Sequence, residues 1–465
     1  RRMFAILDKE RSVASPGYSR WLVPPAALCI HLSIGQAYAW SVFNIPLTQL
    51  IGVTKSAPGD WSREAVIWIF SLAIVCLGLS AAFGGKWLER VGPRKAMFAS
   101  AVCFSSGFFL SAIGVWLHSI VLIYLGYGVI GGCGLGLGYI SPVSTLIKWF
   151  PDRPGMATGM AIMGFGGGAM IGAPLSVALM DWFRSDGGNG VWQTFTALGA
   201  IYLAFMLLGA FTVRIPPADW RPVGGVATSA PRKMVTQHHV HADSAIRTPQ
   251  FLLLWIMLCF NVTAGIGILG KASDMVQDMF GASVAAGSGF VGVLSVANMG
   301  GRFLWSSLSD YLGRRATYAL YFGLGLVLYA CLPTLGKHRQ LALFVLVSVV
   351  LMSMYGGGFA TIPAYLRDLF GTMHVGAIHG RLLTAWSIAG VLGPVLLTKW
   401  AEHQKAAGVA KSESYGMVLY FMAGLLAVGF VCNLLIAPVD ARHHFGEQNV
   451  GEQKVGEKKS GEKTP

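Results

Sequence analysis

Twelve stretches of this chain are apolar over roughly the 20 residues that an α-helix needs to cross the hydrocarbon of a bilayer. They are 21–43, 65–83, 96–116, 119–147, 155–180, 191–213, 250–270, 284–306, 316–334, 341–366, 382–398 and 415–437. Little chain is left over. Spanning backbone must satisfy its own hydrogen bonds, so the expected fold class is an all-α membrane protein of twelve transmembrane helices. Composition agrees: 54% of the 465 residues are hydrophobic, 12% are charged, and the mean hydropathy is +0.58, beyond the range of soluble domains. The first run follows a polar stretch and has no small-residue cleavage site, which reads as a permanent helix rather than a signal peptide. The seven cysteines fall inside the runs without metal-type spacing and read as packing residues.

A net charge of +14 on a soluble chain would suggest nucleic acid, but its distribution here points to topology and to no nucleic-acid partner. With the N-terminus in the cytoplasm, 25 of the 35 Lys and Arg fall on inner loops and tails and 9 on outer loops, as the positive-inside rule requires. The remaining one is Arg302, inside the eighth run. The expectation is an integral protein of a bacterial inner membrane, monomeric, with both termini cytoplasmic. Residues 214–249, with Pro216, Pro217, Pro222 and Pro231, read as a cytoplasmic linker. The tail from 438, with its repeated GEQNVGEQKVGEKKSGEK, reads as disordered. His238, His239 and His241 in the linker lack a Cys or carboxylate at ligand spacing, so a solvated loop is favoured over a metal site.

The chain also repeats itself. A shift of 221 residues carries Glu89 onto Asp310, Gly92 onto Gly313 and Arg94 onto Arg315, and the same shift carries Pro142 onto Pro363, Gly155 onto Gly376 and Gly159 onto Gly380. One offset serving two separate loops implies two parallel six-helix halves, with a solute site near the midplane between them. The expected organisation is a cytoplasmic segment 1–20, a first half 21–213, the linker 214–249, a second half 250–437 and the tail 438–465. In the repeated turns, Gly85, Glu89, Arg90, Gly92 and Arg94 on one side and Asp310, Gly313, Arg314 and Arg315 on the other suit a gate. A carboxylate and arginines on a short turn can hold a helix end or the opposite half in one conformation and release it in another. For the arginines a purely topological role remains the alternative.

Gly85, Glu89, Arg90, Gly92, Arg94 and Lys95 resemble the signature loop of the major facilitator superfamily, and Gly168, Gly172, Ala173 and Pro174 resemble the glycine-proline motif of its fifth helix. More narrowly, GQAYAWSVF at 35–43, KWFPDRPGMATG at 148–159, ANMGGRFLWSSLSDYLGRR at 297–315 and HGRLLTAWSIAGVLGP at 379–394 look like the oxalate/formate antiporter family, whose relatives are the monocarboxylate carriers. The resemblance implies the major facilitator fold and the carriage of a small organic anion by alternating access. It also implies a substrate arginine in the eighth helix, at Arg302. Where the oxalate carrier has a second cation in its eleventh helix, this chain has Trp386. Where monocarboxylate carriers have a proton-handling aspartate and a first-helix lysine, it has Asn298 and Val42. One cation in place of two favours a monocarboxylate of the formate, lactate or pyruvate type over oxalate.

The residues taken alone point the same way. A charged side chain at a helix centre costs about 2.5–3.5 kcal/mol on insertion scales, and no Asp or Glu stands in the middle of any run to offset it. The partner is then expected to be the solute's carboxylate, unless Arg302 snorkels to the interface or serves the gate. Gln36, Tyr38, Tyr139, Tyr355 and Trp386 are candidate lining residues, with core or interfacial packing as the alternative. His31, taken as the one histidine well inside a run, is the candidate proton carrier if transport is proton-coupled. The glycine runs GGCGLGLG at 131–138 and GFGGG at 164–168 suit close helix packing, not a nucleotide. No cofactor or metal is called for, and no enzyme site is apparent. Exchange and proton symport stay open. So do an uncharged or cationic solute and a non-transporting sensor.

Overall fold

The computed structural model describes residues 5–185, 187–222, 234–409 and 411–445. Twelve long helical elements form the bundle. The first half holds α1 (Arg20–Leu47), α2 (Arg63–Val91), α3 (Pro93–Trp116), α4 (Ile120–Trp149), α5 (Pro154–Phe183) and α6 (Val191–Thr212). The second half holds α7 (Pro249–Phe280), α8 (Val284–Leu312), α9 (Arg314–Lys337), α10 (Leu341–Phe370), α11 (Val375–Leu382, then Thr384–Ala406) and α12 (Lys411–Leu435). Among the described residues eleven helices are long and apolar enough to cross a membrane. The exception is α8, 29 residues long, whose glycines, serines, Asn298 and Arg302 dilute its apolar character.

Local chemistry sets the helix starts. The side chains of Ser62, Thr248 and Ser283 accept hydrogen bonds from the backbone N–H groups of Ala65, Phe251 and Ala286 at the starts of α2, α7 and α8. Pro93, Pro154 and Pro249 open α3, α5 and α7, where a missing N–H costs nothing. Between α2 and α3 the chain reverses at Gly92 (φ 85°), and between α8 and α9 at Gly313 (φ 87°), a backbone conformation open mainly to glycine. These two turns mark one end of the bundle, called here the turn end. The segment before α1, the described parts of the chain between α6 and α7, and residues 436–445 gather at that end. Ala14 N–H donates to Ile215 O (2.9 Å), Thr236 N–H to Asp368 O (2.8 Å) and Val240 N–H to Phe370 O (2.9 Å). The repetitive tail and residues 223–233 lie outside the described residues.

The halves meet through α2 against α11 and α5 against α8, flanked by α4 against α11 and α5 against α10. These pairs interchange under the 221-residue shift. Small residues permit the approach: a side chain on Gly159 would strike Ser306 and the carbonyl of Arg302, and one on Gly380 would strike the carbonyl of Ala81. Two expectations need correction. The eleventh helix begins at Val375, not near 382, because the glycines that lower hydropathy there sit inside the interface and Arg381 binds the linker at Ala242 and Asp243. His31 is therefore not the one buried histidine of the spans, since His379 lies within α11 at 1% exposure.

Candidate functional site

Arg302 is completely buried at the interface. Its Nε donates to Asn298 Oδ1 (3.2 Å), one turn earlier on α8, and Nη1 reaches Ile162 O on α5 of the other half (3.4 Å). Its Nη2 has no partner, and among the described residues no carboxylate pairs with it. The interfacial snorkelling alternative is thereby set aside, because the head group is inside the protein.

Aromatic rings surround the guanidinium. Its carbon lies 5.3 Å from the Phe359 ring, 5.8 Å from Phe165 and 5.9 Å from Tyr38, within cation–π range. Trp386 closes the group, edge-on to Phe165 at 5.4 Å, to Tyr139 at 5.4 Å and to Phe359 at 4.8 Å. Tyr355 packs edge-on against Phe359 at 5.5 Å. Irregular backbone contributes: Tyr38 stands in a 3₁₀ stretch of α1, Gly35–Phe43, and α4 carries a π-helical stretch, Tyr124–Gly131, shortly before Tyr139. The hydroxyls of Tyr38, Tyr139 and Tyr355 are buried and make no hydrogen bond of normal geometry, yet Tyr139 interacts with Arg302 and Tyr355 with Tyr38. Arg302 Nη2 and three phenols, only loosely paired with one another, thus share one neighbourhood in which an incomplete hydrogen bond costs free energy.

The structure brings Arg302, Asn298, Tyr38, Tyr139, Tyr355 and Trp386 together. Gln36 goes elsewhere. Its Oε1 accepts from Tyr127 Oη (3.1 Å), and its side chain lies beside Gly172 and Tyr202 inside the first half. Only two residues from Tyr38, it points to a different face of the helix, as positions i and i+2 do. Phe165 and Phe359 join the cluster unforeseen. Phe165 could have been found, since the 221-residue shift carries it onto Trp386. His31 is buried between α5 and α4, its Nδ1 facing Ala161 O and its Nε2 facing Tyr139 O at 3.1 Å.

At the turn end each half grips the other through one carboxylate. Asp310 accepts from the N–H groups of Gly155 (2.8 Å) and Met156 (2.9 Å), the first turn of α5. Glu89 accepts from Gly376 N–H (3.1 Å), the first turn of α11. Both sit where a helix N-terminus favours negative charge. Lys148 pairs with Glu89 at 2.9 Å, and Arg314 bridges Asp310 (2.6 Å) and Asp368 (3.0 Å). Arg94 and Arg315 stay within their own halves. Arg94 donates to Val213 O (3.2 Å) and to Ile6 O (2.9 Å), and Arg315 donates to Leu434 O. The 221-residue shift also relates Val213 to Leu434, so each arginine ties the carbonyls at the end of its half's last helix. Arg90 is exposed, and Gly85 packs against Ala377 of α11. Among the described residues, the polar contacts found between the halves run from Ser387, next to Trp386, which donates to Ile74 O at 3.0 Å, down to the turn end.

A family model for the Major Facilitator Superfamily matches residues 18–394 and, in a second match, 301–459. The chain belongs to this superfamily. It is 27% identical to the oxalate:formate antiporter of Oxalobacter formigenes over 381 residues, 81% of this chain and 83% of that one. It is 24% identical to apicoplast pyruvate carrier 1 of Toxoplasma gondii, over 85% of this chain and 79% of that one. The superfamily's proton:xylose symporter XylE superposes with a TM-score of 0.68 at 14% identity, covering 90% of this chain and 96% of that one. The relatives are membrane carriers, as the signature loop and the motifs around Arg302 imply. The fold is the twelve-helix, two-half architecture expected from the internal repeat.

Proposed function

We propose that the protein is a secondary transporter of a small monocarboxylate, of the formate, lactate or pyruvate type, working by alternating access with Arg302 as the anion's anchor. The observation that carries this reading is a fully buried guanidinium with no carboxylate beside it among the described residues, whose Nη2 and three neighbouring tyrosine hydroxyls make no hydrogen bond of normal geometry. A carboxylate accepts from Arg through two parallel N–H groups or from Arg and a phenol at once, so one such group would satisfy several of these donors. The named relatives, an oxalate:formate antiporter and a pyruvate carrier, support the same chemical class. A single cation supports one carboxylate rather than two, and the aromatic rings suit a short apolar remainder.

In this reading residues 21–213 and 250–437 move as the two halves, and the turn end is the cytoplasmic face, closed in this conformation by Glu89 and Asp310. His31 is the candidate proton carrier in the symport form of this reading, its two ring nitrogens facing the carbonyl oxygens of Ala161 and Tyr139.

The test is uptake of labelled formate, lactate, pyruvate and oxalate into proteoliposomes, with and without internal anion and a pH gradient, comparing wild type with Arg302→Gln. Loss of a charge-assisted hydrogen bond worth ~1.5–3 kcal/mol should lower uptake on the order of tenfold to a hundredfold. Wild-type uptake in the variant, or no saturable uptake of any of the four by the wild type, would overturn the proposal. Dependence on the pH gradient or on internal anion separates symport from exchange.

A further inference from the structure

His379 stands between the aromatic cluster and the Glu89 contact, and nothing above gives it a role. It lies on α11 three residues after Gly376 and seven before Trp386, about 10 Å along the helix from that ring. It is 1% exposed, and neither ring nitrogen has a partner. A buried imidazole left this way forfeits the hydration of one donor and one acceptor. Packing does not account for it. The 221-residue shift places Thr158 at the equivalent point of α5, where the hydroxyl is satisfied locally by Gly155 O at 3.0 Å. The fold thus accepts a small, self-satisfied side chain here. The His379 ring is instead 5.8 Å from that of Tyr139, whose hydroxyl interacts with Arg302. Arg302, Tyr139 and His379 therefore form a chain of donors that leads from the cluster toward the closed turn end.

We propose that His379 is a second carboxylate-binding station for the transported anion, used only on the turn-end side of the carrier. When Gly376 leaves Glu89 and the paired helices part, its N–H is the first donor that an anion released by Arg302 meets. It is also the first that an anion entering from that side finds. This inference rests on the anion-carrier reading and adds a sidedness which that reading does not contain.

The experiment compares half-saturation concentrations in right-side-out and inside-out membrane vesicles for wild type, His379→Leu, which keeps volume and removes the donor, and His379→Gln, which keeps a donor. His379→Ala is read in the same way should the leucine variant fail to reach the membrane. The expected result is a rise of about tenfold from the turn-end side in the leucine variant, no change from the far side, and recovery in the glutamine variant. Unchanged values on both sides, or an equal rise on both, would overturn the station while leaving the anion-carrier reading intact. A wild type that transports no small monocarboxylate from either side overturns the parent reading and this inference with it.

Discussion

At the scale of single residues, the site is an exception to the symmetry of the fold. The 221-residue shift carries Ala81 onto Arg302, and both carbonyls sit against a glycine of the opposite half, so the backbone is equivalent while the charge exists on one side alone. A cation facing both halves with no carboxylate partner among the described residues suits the proposed role of holding an anion that comes and goes. Removing only the Tyr139 hydroxyl tests whether the phenols take part. Tyr139→Phe should keep the ring contacts with Phe165 and Trp386 and raise the half-saturation concentration by about three- to tenfold, in line with ~0.5–1.5 kcal/mol for one hydrogen bond. An unchanged value in the uptake assay would make the ring a packing element. If His31 carries the proton, His31→Ala should flatten the pH dependence of uptake, and a fully retained dependence ends that assignment. Arg302 was legible in the sequence because one charge in an apolar run is costly wherever it stands. His379 was not, because hydropathy placed the start of α11 after it: the glycines that lowered that estimate pack against the opposite half and Arg381 binds the linker.

At the proposed gate the helices themselves supply the electrostatics: Glu89 and Asp310 reach across the interface to cap the N-termini of α11 and α5, whose first N–H groups have no partner within their helices. The sequence showed that the two turns and the two glycine loops share one offset, yet only the structure shows that each turn closes on the loop of the opposite half. The arginines were harder to read. Arg94 and Arg315 bind their own half, where a gating contact was equally compatible with their spacing. Asp310 accepts from two backbone groups and Glu89 from one, so the two locks differ in strength. Removing a carboxylate from a partly buried helix N-terminus costs up to ~2 kcal/mol. Asp310→Asn should therefore open the turn end more than Glu89→Gln. Spin labels on the exposed positions Arg90 and Tyr311, themselves related by the same offset, would report the change as a longer distance population. Equal and small shifts in the two variants would assign the closure to helix packing instead.

At the scale of the molecule, the chain between the halves is more than a tether. Asp243 accepts from Lys86 of the first half (2.6 Å) and from Arg381 of the second (2.6 Å), with His241 3.6 Å away. Arg381 also donates to Ala242 O at 2.6 Å. One linker carboxylate thus clasps both halves across the closed turn end, and composition alone had suggested only a polar connector. The hydrogen bonds from Lys86 and then from Arg381 hold its carboxyl down to about 2, below the ordinary value of 3.8. A carboxyl depressed in the folded state contributes stability that is fully present above the ordinary value and is lost as pH falls toward 2. The clasp is therefore constant over the physiological range and breaks by movement of the halves, not by titration. Asp243→Asn should make amide hydrogen exchange in residues 234–249 faster by several-fold at every pH from 5 to 8, after correction for intrinsic rates, while the wild type stays flat. A saturating monocarboxylate that drives the carrier toward its turn-end-open form should speed exchange in the wild type and do little more in the variant, because the same contact is already gone. Exchange that is equal in the two proteins would mean that the linker rides on the bundle without holding it.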